Sequence, residues 1–336
     1  MGRFKRALVV TSIAGDGHPT LRTMAMGAAA NGVELIVVGD EKSPVSFRLE
    51  GCEYLSLEAQ RRLGLRLSAL APVGHYSRKN IGYLLAIRRG HRVIQETDDD
   101  NIPLPSFWPD WEFGRRGQGC EGTGWTNVYR RFTDRHIWPR GFPLERILGG
   151  NHCEAAQLSR FCPIIQGLAD ENPDVDAIYR LTMELPFHFD CQERSFILGP
   201  GSWCPFNSQN TTWERSAFPL LYLPSHCSFR ITDIWRSFVA QRICWEYGWG
   251  VLFHQPTVRQ DRNGHVLLRD FEDEIPGYLR NGSIADELSG LTLDPSPQGI
   301  YGNLMTCYRR LVDIGVVGAE EMVLLEAWAD DCRSSL

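Results

Sequence analysis

The chain has 336 residues, 43% hydrophobic and 23% charged, with 16 Phe, 10 Trp and 10 Tyr. That is enough apolar material for one large α/β domain with an appendage, or for two domains. A formal charge of −6 without a long Lys/Arg run argues against a nucleic-acid partner, and no stretch reaches the ~18 apolar residues of a membrane helix.

In chain order, "ALVVTSI" (Ala7–Ile13) is a continuous apolar, β-branched run, which suits a strand buried on both faces of a parallel sheet. "TLRTMAMGAAANG" reads as a helix stopped by Asn31-Gly32, and "VELIVVGD" as a second buried strand ending at Asp40. "EYLSLEAQRRLG" supplies a short strand and helix, "SRKNIGYLLAIRRGH" a longer helix. "RVIQET" is the next strand, and it delivers Asp98, Asp99 and Asp100 at its carboxyl end. Ligands of open α/β sheets bind outside such ends, where Thr11, Ser12, Asp40 and the three acids would gather. The glycine-rich "GRRGQGCEGTGW" is expected to be a flexible surface loop, with a lid over the ligand as the sharper alternative. A further helix is expected from an N-cap at Thr232 to a C′ glycine at Gly248, followed by a strand "GVLFHQPTV" stopped at Pro256. After Gly282 the pattern is helical and amphipathic. The division expected is residues 1–282 as the main domain, in two halves at 1–125 and 126–282, and a helical segment at 283–336.

The N-terminus has only about seven apolar residues after its basic start, too few for a signal peptide. None of the ten cysteines is spaced C-x-x-C, so zinc is poorly supported and buried free thiols are the better reading. A cytoplasmic protein is expected, with peripheral membrane association and homo-oligomers left open.

The acidic triplet has three ordinary explanations. An EF-hand loop counted from Asp98 fails, because positions 5, 6 and 12 are Ile102, Pro103 and Pro109. Helix capping conflicts with Pro103 and Pro105. A solvated loop does not explain why the acids end a buried strand. The functional reading is a metal–diphosphate site: Mn²⁺ or Mg²⁺ takes oxygen ligands, and Asp98 and Asp100 fall on one side of an extended chain.

The run "SRKNIGYLLAIRRGHRVIQETDDDNIP" (Ser77–Pro103) resembles the donor-site signature of GT-A glycosyltransferases, and more closely the STELLO family, which is related to the reversibly glycosylated polypeptides of plants. "WPRGFPLE", "PIIQGLADENPDVDAIYRLT", "PFNSQNT" and "FRITDIWRSFVAQRICWE" carry the resemblance over most of residues 5 to 280. It implies a GT-A, Rossmann-like α/β fold with a mostly parallel central sheet and a C-terminal helical appendage. It implies a nucleotide-sugar donor, UDP-linked by expectation, with Asp98 to Asp100 as the Asp-x-Asp motif. Asp98 and Asp100 would hold the metal, and Asp99, Arg78, Lys79, Asn80, Asp40, Thr11 and Ser12 would serve the donor. Asp233, opening the later helix, matches the general base of inverting enzymes, although the family's frequent Glu-Asp is Thr232-Asp233 here. Its ordinary alternative is helix-dipole stabilisation, worth ~0.3–1 kcal/mol. Trp235 and Arg236 are weighed as acceptor contacts, with core packing favoured for Trp235. Arg140 is read as structural, and His254 and His265 are left out of the metal set.

The expected function is therefore a metal-dependent, inverting glycosyltransferase that moves a sugar from a nucleoside-diphosphate donor to a glycan acceptor in polysaccharide biosynthesis. The alternatives are a nucleotide-sugar mutase, which needs no acceptor, and a non-catalytic scaffold for a polysaccharide synthase.

Overall fold

A computed structural model describes residues 4–149, 153–190, 194–262, 264 and 266–336; Cys191 and His265 lie outside them. The chain opens with β1 (Arg6–Thr11), α1 (Pro19–Asn31), β2 (Val33–Val38), β3 (Cys52–Leu55), α2 (Leu57–Arg62), α3 (Arg66–Leu70), α4 (Lys79–Arg88) and β4 (Val93–Asp98). Short strands follow: β5 (Asn101–Pro103), β6 (Gly114–Cys120), β7 (Gly124–Trp125), β8 (Ala156–Phe161) and β9 (Ile164–Asp170). Then come α5 (Ala177–Thr182), β10 (Ser195–Leu198), β11 (Ser202–Trp203), β12 (Asn210–Glu214), α6 (Thr232–Glu246) and β13 (Val251–Gln260). The chain closes with α7 (Leu267–Ser289), α8 (Ile300–Asp313) and α9 (Glu321–Ser335).

Most strands form one sheet in the order β3-β2-β1-β4-β12-β9-β13-β10-β6-β8, with β5 added to β13 and β7 paired separately to β11. The first four are parallel in the 3-2-1-4 order of a Rossmann half. Ala7 and Val9 of β1 point into a core under the helices of one face, Leu8 and Val10 into a second core under α1. Burial on both faces is why this strand reads as an unbroken apolar run. The end of α1 is set by Gly32, whose φ of 64° is a left-handed cap. Thr11 pairs with Val38 on one side and with Asp98 on the other, so three strand ends finish at one level. Across the sheet, α4 lies so close that a Cβ on Gly82 would sit 2.6 Å from Val9 Cγ1 and Val38 Cγ2.

The α/β class is as expected, but the sheet is mixed rather than mostly parallel. From β4 onward β12 runs antiparallel to both β4 and β9, and β13 antiparallel to β10. These antiparallel pairs join strands far apart in the sequence, so they are not adjacent hairpins. Three local expectations change as well. "GRRGQGC" is a strand, β6, paired to β8 and β10, rather than a flexible loop or lid. β13 passes through Pro256, which sits where the pairing with β9 shifts register between His254 and Val258; a proline is tolerated at such a bulge. Thr232 is the first helical residue of α6 and Ile231 its N-cap, with no side-chain cap bond, while Gly248 takes the φ of 63° expected at C′.

The helix α7 runs through Gly282. Behind the sheet, α8 and α9 enter the same core as α4 and α6. Tyr308 Oη donates to the Tyr222 carbonyl at 3.2 Å and Trp328 Nε1 to the Pro219 carbonyl at 2.9 Å. The described cysteines are free, seven buried and two partly so. Among the described residues no helix is long and apolar enough to cross a membrane.

Candidate functional site

A cavity of about 450 Å³ opens at the carboxyl ends of β1, β2 and β4. The wall at the strand ends includes Thr11, Ser12, Asp40, Arg78 and Asp98 to Asp100, and the far wall Arg140, Asp174, Arg230, Asp233 and Arg262. The three acids spread in different directions. Asp98 Oδ1 accepts from Tyr76 Oη at 2.6 Å and Lys79 Nζ at 2.9 Å. Asp99 accepts from the Ser12 hydroxyl. Asp100 accepts from Asn101 Nδ2 and Gln260 Nε2, both at 2.9 Å. Burial pushes the Asp100 carboxyl up to about 7, with the charges of Asp98 and Asp99 adding to it. Burial, then the neighbouring Asp98, also raises Asp99, against the lowering Ser12 bond. The cluster is short of positive charge.

On the far wall Arg140 forks between two carboxylates. Its Nε and Nη2 donate to Asp174 at 2.8 and 3.0 Å, and its Nη1 and Nη2 to Asp233 at 3.0 Å each. Ser208 adds its backbone N–H and its hydroxyl to Asp233 Oδ2, both at 3.1 Å. Burial alone would raise the Asp233 carboxyl, but Arg140 above all outweighs it and holds the group below the usual carboxylate range. A hydroxyl chain joins the two walls, since Tyr76 Oη lies 2.6 Å from Ser208 Oγ.

Several expected contacts differ. Lys79 is fully buried and spends its ammonium on Asp98, Tyr76 and the Thr97 carbonyl, so it positions an acid rather than meeting a phosphate. Asn80 does not line the cavity; its amide exchanges hydrogen bonds with the Leu223 backbone at 2.9 Å each. The reason is helical geometry: α4 packs against the sheet, so its first residue, Lys79, reaches the end of β4 from beneath while Asn80 is turned toward Leu223. Arg78 does reach the wall, held by neutral acceptors, Gln60 Oε1 and the carbonyls of Ala71 and Pro72. Asp40 lines the cavity while its carboxylate holds the N–H groups of Gly74 and His75 at 2.8 and 2.9 Å. Arg236 belongs to the core, paired with the fully buried Glu96 at 2.8 Å, and Trp235 donates to Asn281 at 2.9 Å in the core. His254 is buried, with its ring centroid 4.8 Å from that of Trp111, and does not line the cavity.

Among the described residues no group of three His, Cys, Asp or Glu side chains is arranged to hold a metal ion. The fit is that of a cation shared with a ligand: Asp98 and Asp100 offer carboxylate oxygens, and Asp100 is raised by burial first and by the charge of Asp98 second. Mg²⁺ and Mn²⁺ are commonly held by one or two carboxylates, waters and substrate phosphates.

Residues 230–335 match the family model described as STELLO glycosyltransferases. The Arabidopsis thaliana protein named "Probable glycosyltransferase STELLO2" is 32% identical over 295 residues, 80% of this chain and 37% of that protein. "Probable glycosyltransferase STELLO1" from the same organism is 30% identical over 327 residues, 89% of this chain and 41% of that protein. The family is that of the STELLO-like glycosyltransferases. This STELLO-like chain spans less than half the length of these two curated relatives. Among solved structures, M. tuberculosis glucosyl-3-phosphoglycerate synthase is 12% identical with a TM-score of 0.38, covering 83% of this chain and 81% of that one.

Sequence reasoning missed the residues that connect the STELLO-like site. Asp174, Ser208 and Arg230 lie inside stretches that carried the family resemblance, but nothing local marks them as partners of Asp233 or as cavity lining. Tyr76 lies just before the run that begins at Ser77 and offered only its adjacency as a signal.

Proposed function

We propose that the chain transfers a sugar from a nucleoside-diphosphate donor, UDP-linked by preference, to a glycan acceptor in polysaccharide synthesis, with inversion at the anomeric carbon and with a divalent cation bound. The observation that carries this reading is convergence: Asp98 to Asp100 at the end of β4 and Asp233 at the start of α6 line one cavity, in a chain of the STELLO-like family. Asp98 and Asp100 would hold Mn²⁺ or Mg²⁺, which when bound neutralises a departing diphosphate. Thr11, Ser12 and Asp40 form the wall that a nucleoside would meet, and Asp99 is tied to that wall through Ser12.

Asp233 acts as the base. The acceptor oxygen bonds to the anomeric carbon as the bond from that carbon to the diphosphate oxygen breaks, and its proton passes to the Asp233 carboxylate. A carboxylate of low basicity suffices, because the acceptor hydroxyl becomes strongly acidic only as the new bond forms. Arg140 and Ser208 aim the carboxylate, and Lys79 and Tyr76 aim Asp98.

The test is a pair of variants in a UDP-sugar transfer assay with Mn²⁺. Asp98→Asn with Asp100→Asn is expected to abolish Mn²⁺-dependent binding of UDP. Asp233→Asn is expected to retain that binding and lose nearly all transfer. Wild-type transfer by Asp233→Asn removes this residue from the mechanism, and isomerised sugar nucleotide in the absence of any acceptor would favour a mutase.

A further inference from the structure

Beyond Arg140, three more arginines gather at the end of the cavity near Asp233. Arg230 and Arg262 line it, and Arg180 lies close behind. Arg230 donates to Glu274 at 2.7 Å, and Arg262 to Asp270 at 2.7 Å. Arg180 hydrogen-bonds, among the described residues, only to neutral oxygens, Asn172 Oδ1 at 3.4 Å and the Pro173 carbonyl at 2.7 Å. Asp174 and Asp233 are committed to Arg140, and Asp176 caps α5 and accepts from Trp138 at 2.6 Å. Arg230 and Arg262 are thus paired with Glu274 and Asp270, Arg180 has no carboxylate at hydrogen-bond distance among the described residues, and Glu274 also accepts from the Ala177 N–H and the Tyr278 hydroxyl.

Two observations set these arginines apart. The Nε atoms of Arg180 and Arg262 are buried without a hydrogen-bond partner. Burial, followed by the charges of Arg262 and Arg230, pushes Arg180 down to about 9, and burial with Arg230 beside it lowers Arg262 too. Guanidiniums that line a cavity with N–H donors to spare are suited to an anion, which makes the stronger, charge-assisted hydrogen bonds to them. A neutral sugar hydroxyl makes only the weaker kind.

We propose that Arg230 and Arg262 form an anion subsite, and that the acceptor carries a phosphate or carboxylate group bound there while its hydroxyl meets Asp233. The inference rests on the transferase reading of the cavity. The subsite and the base are fixed relative to each other: Arg230 lies three residues before Asp233, and its backbone carbonyl accepts from the same Arg140 that holds the carboxylate. The acceptor is thereby held at two points, its charge at the guanidiniums and its nucleophile at Asp233.

The experiment uses the full chain with Mn²⁺ and saturating UDP, titrated calorimetrically with glucose 6-phosphate, glucuronate, inorganic phosphate and glucose. The charged sugars are expected to bind at least about tenfold more tightly than glucose, the scale of one charge-assisted pair. Inorganic phosphate should bind alongside UDP. Arg262→Gln and Arg230→Gln should each lose most of that preference with UDP affinity unchanged. Should Arg230→Gln fail to fold because Glu274 is left uncompensated, Arg262→Gln and Arg262→Lys carry the test. Equal binding of glucose and glucose 6-phosphate with UDP bound overturns the subsite alone, as does a preference that survives in the folded variants. Phosphate that binds only by displacing UDP assigns the guanidiniums to the donor diphosphate and also overturns it. If UDP and Mn²⁺ do not bind at all, the transferase reading fails first and the acceptor assignment with it.

Discussion

Replacing Arg140 with methionine keeps much of its aliphatic length and removes the fork between Asp174 and Asp233. Four charge-assisted hydrogen bonds at 2.8 to 3.0 Å disappear, and two carboxylates of about one-tenth side-chain exposure lose their shared counter-ion. Breaking a buried ion pair in this way costs about 3–5 kcal/mol. With an unfolding entropy near 2.1 cal/mol/K per residue, a chain of 336 residues should melt about 4–7 °C lower. The pH dependence gives a second reading. In the wild type the depressed Asp233 contributes stability that is present above the unfolded carboxyl value of about 3.8 and is lost as pH falls toward its folded value. In Arg140→Met burial raises the Asp233 carboxyl instead, so stability is lost as pH rises above about 4, and the deficit should be larger at pH 8 than at pH 5. Differential scanning fluorimetry at both pH values measures it. A variant that melts within about 1 °C of wild type, with an unchanged pH profile, would refute the clamp.

Two further outcomes follow from packing and charge. Gly82→Ala should destabilise by about 1–3 kcal/mol, because its Cβ would meet Val9 and Val38 at 2.6 Å; Gly302→Ala in α8, with nothing within 4 Å of its Cβ, should stabilise by up to about 1 kcal/mol, and chemical denaturation of the pair decides. Asp176 is pushed up to about 6 by burial, so its native carboxyl holds its proton longer than the unfolded one, and stability from this group is lost as pH rises from about 4 to 6. Asp176→Asn keeps an N-cap for α5 and should gain on the wild type through that window, by at most about 3 kcal/mol at pH 7; denaturation curves at pH 4 and pH 7 with a constant difference would contradict this.

The N-terminal part of the sheet was largely legible in the sequence. Apolar runs rich in Val, Ile and Leu marked β1 and β2, a glycine marked the end of α1, and the triplet Asp98 to Asp100 stood out because it ends a buried strand. Local rules failed where pairing from both sides overrode them. Pro256 would stop an isolated strand, but β13 is held between neighbours and absorbs the proline in a bulge. The glycines of β6 suggest a loop, but β8 and β10 supply its hydrogen bonds. Lys79 and Asn80 showed their charge and polarity in the sequence but not their direction, which the close packing of α4 decides.

Sequence by itself determined the α/β character, the places of β1, β2 and β4 and the residue types offered to the cavity, because these follow from periodicity and from the chain's immediate neighbours. Only the tertiary structure decided which acids meet which cations. Arg140 reaches Asp233 across 93 residues, and Tyr76 reaches Ser208 across 132. Coulombic and hydrogen-bond energies depend on ångström separations and burial, and neither quantity exists until the sheet has brought its strand ends together.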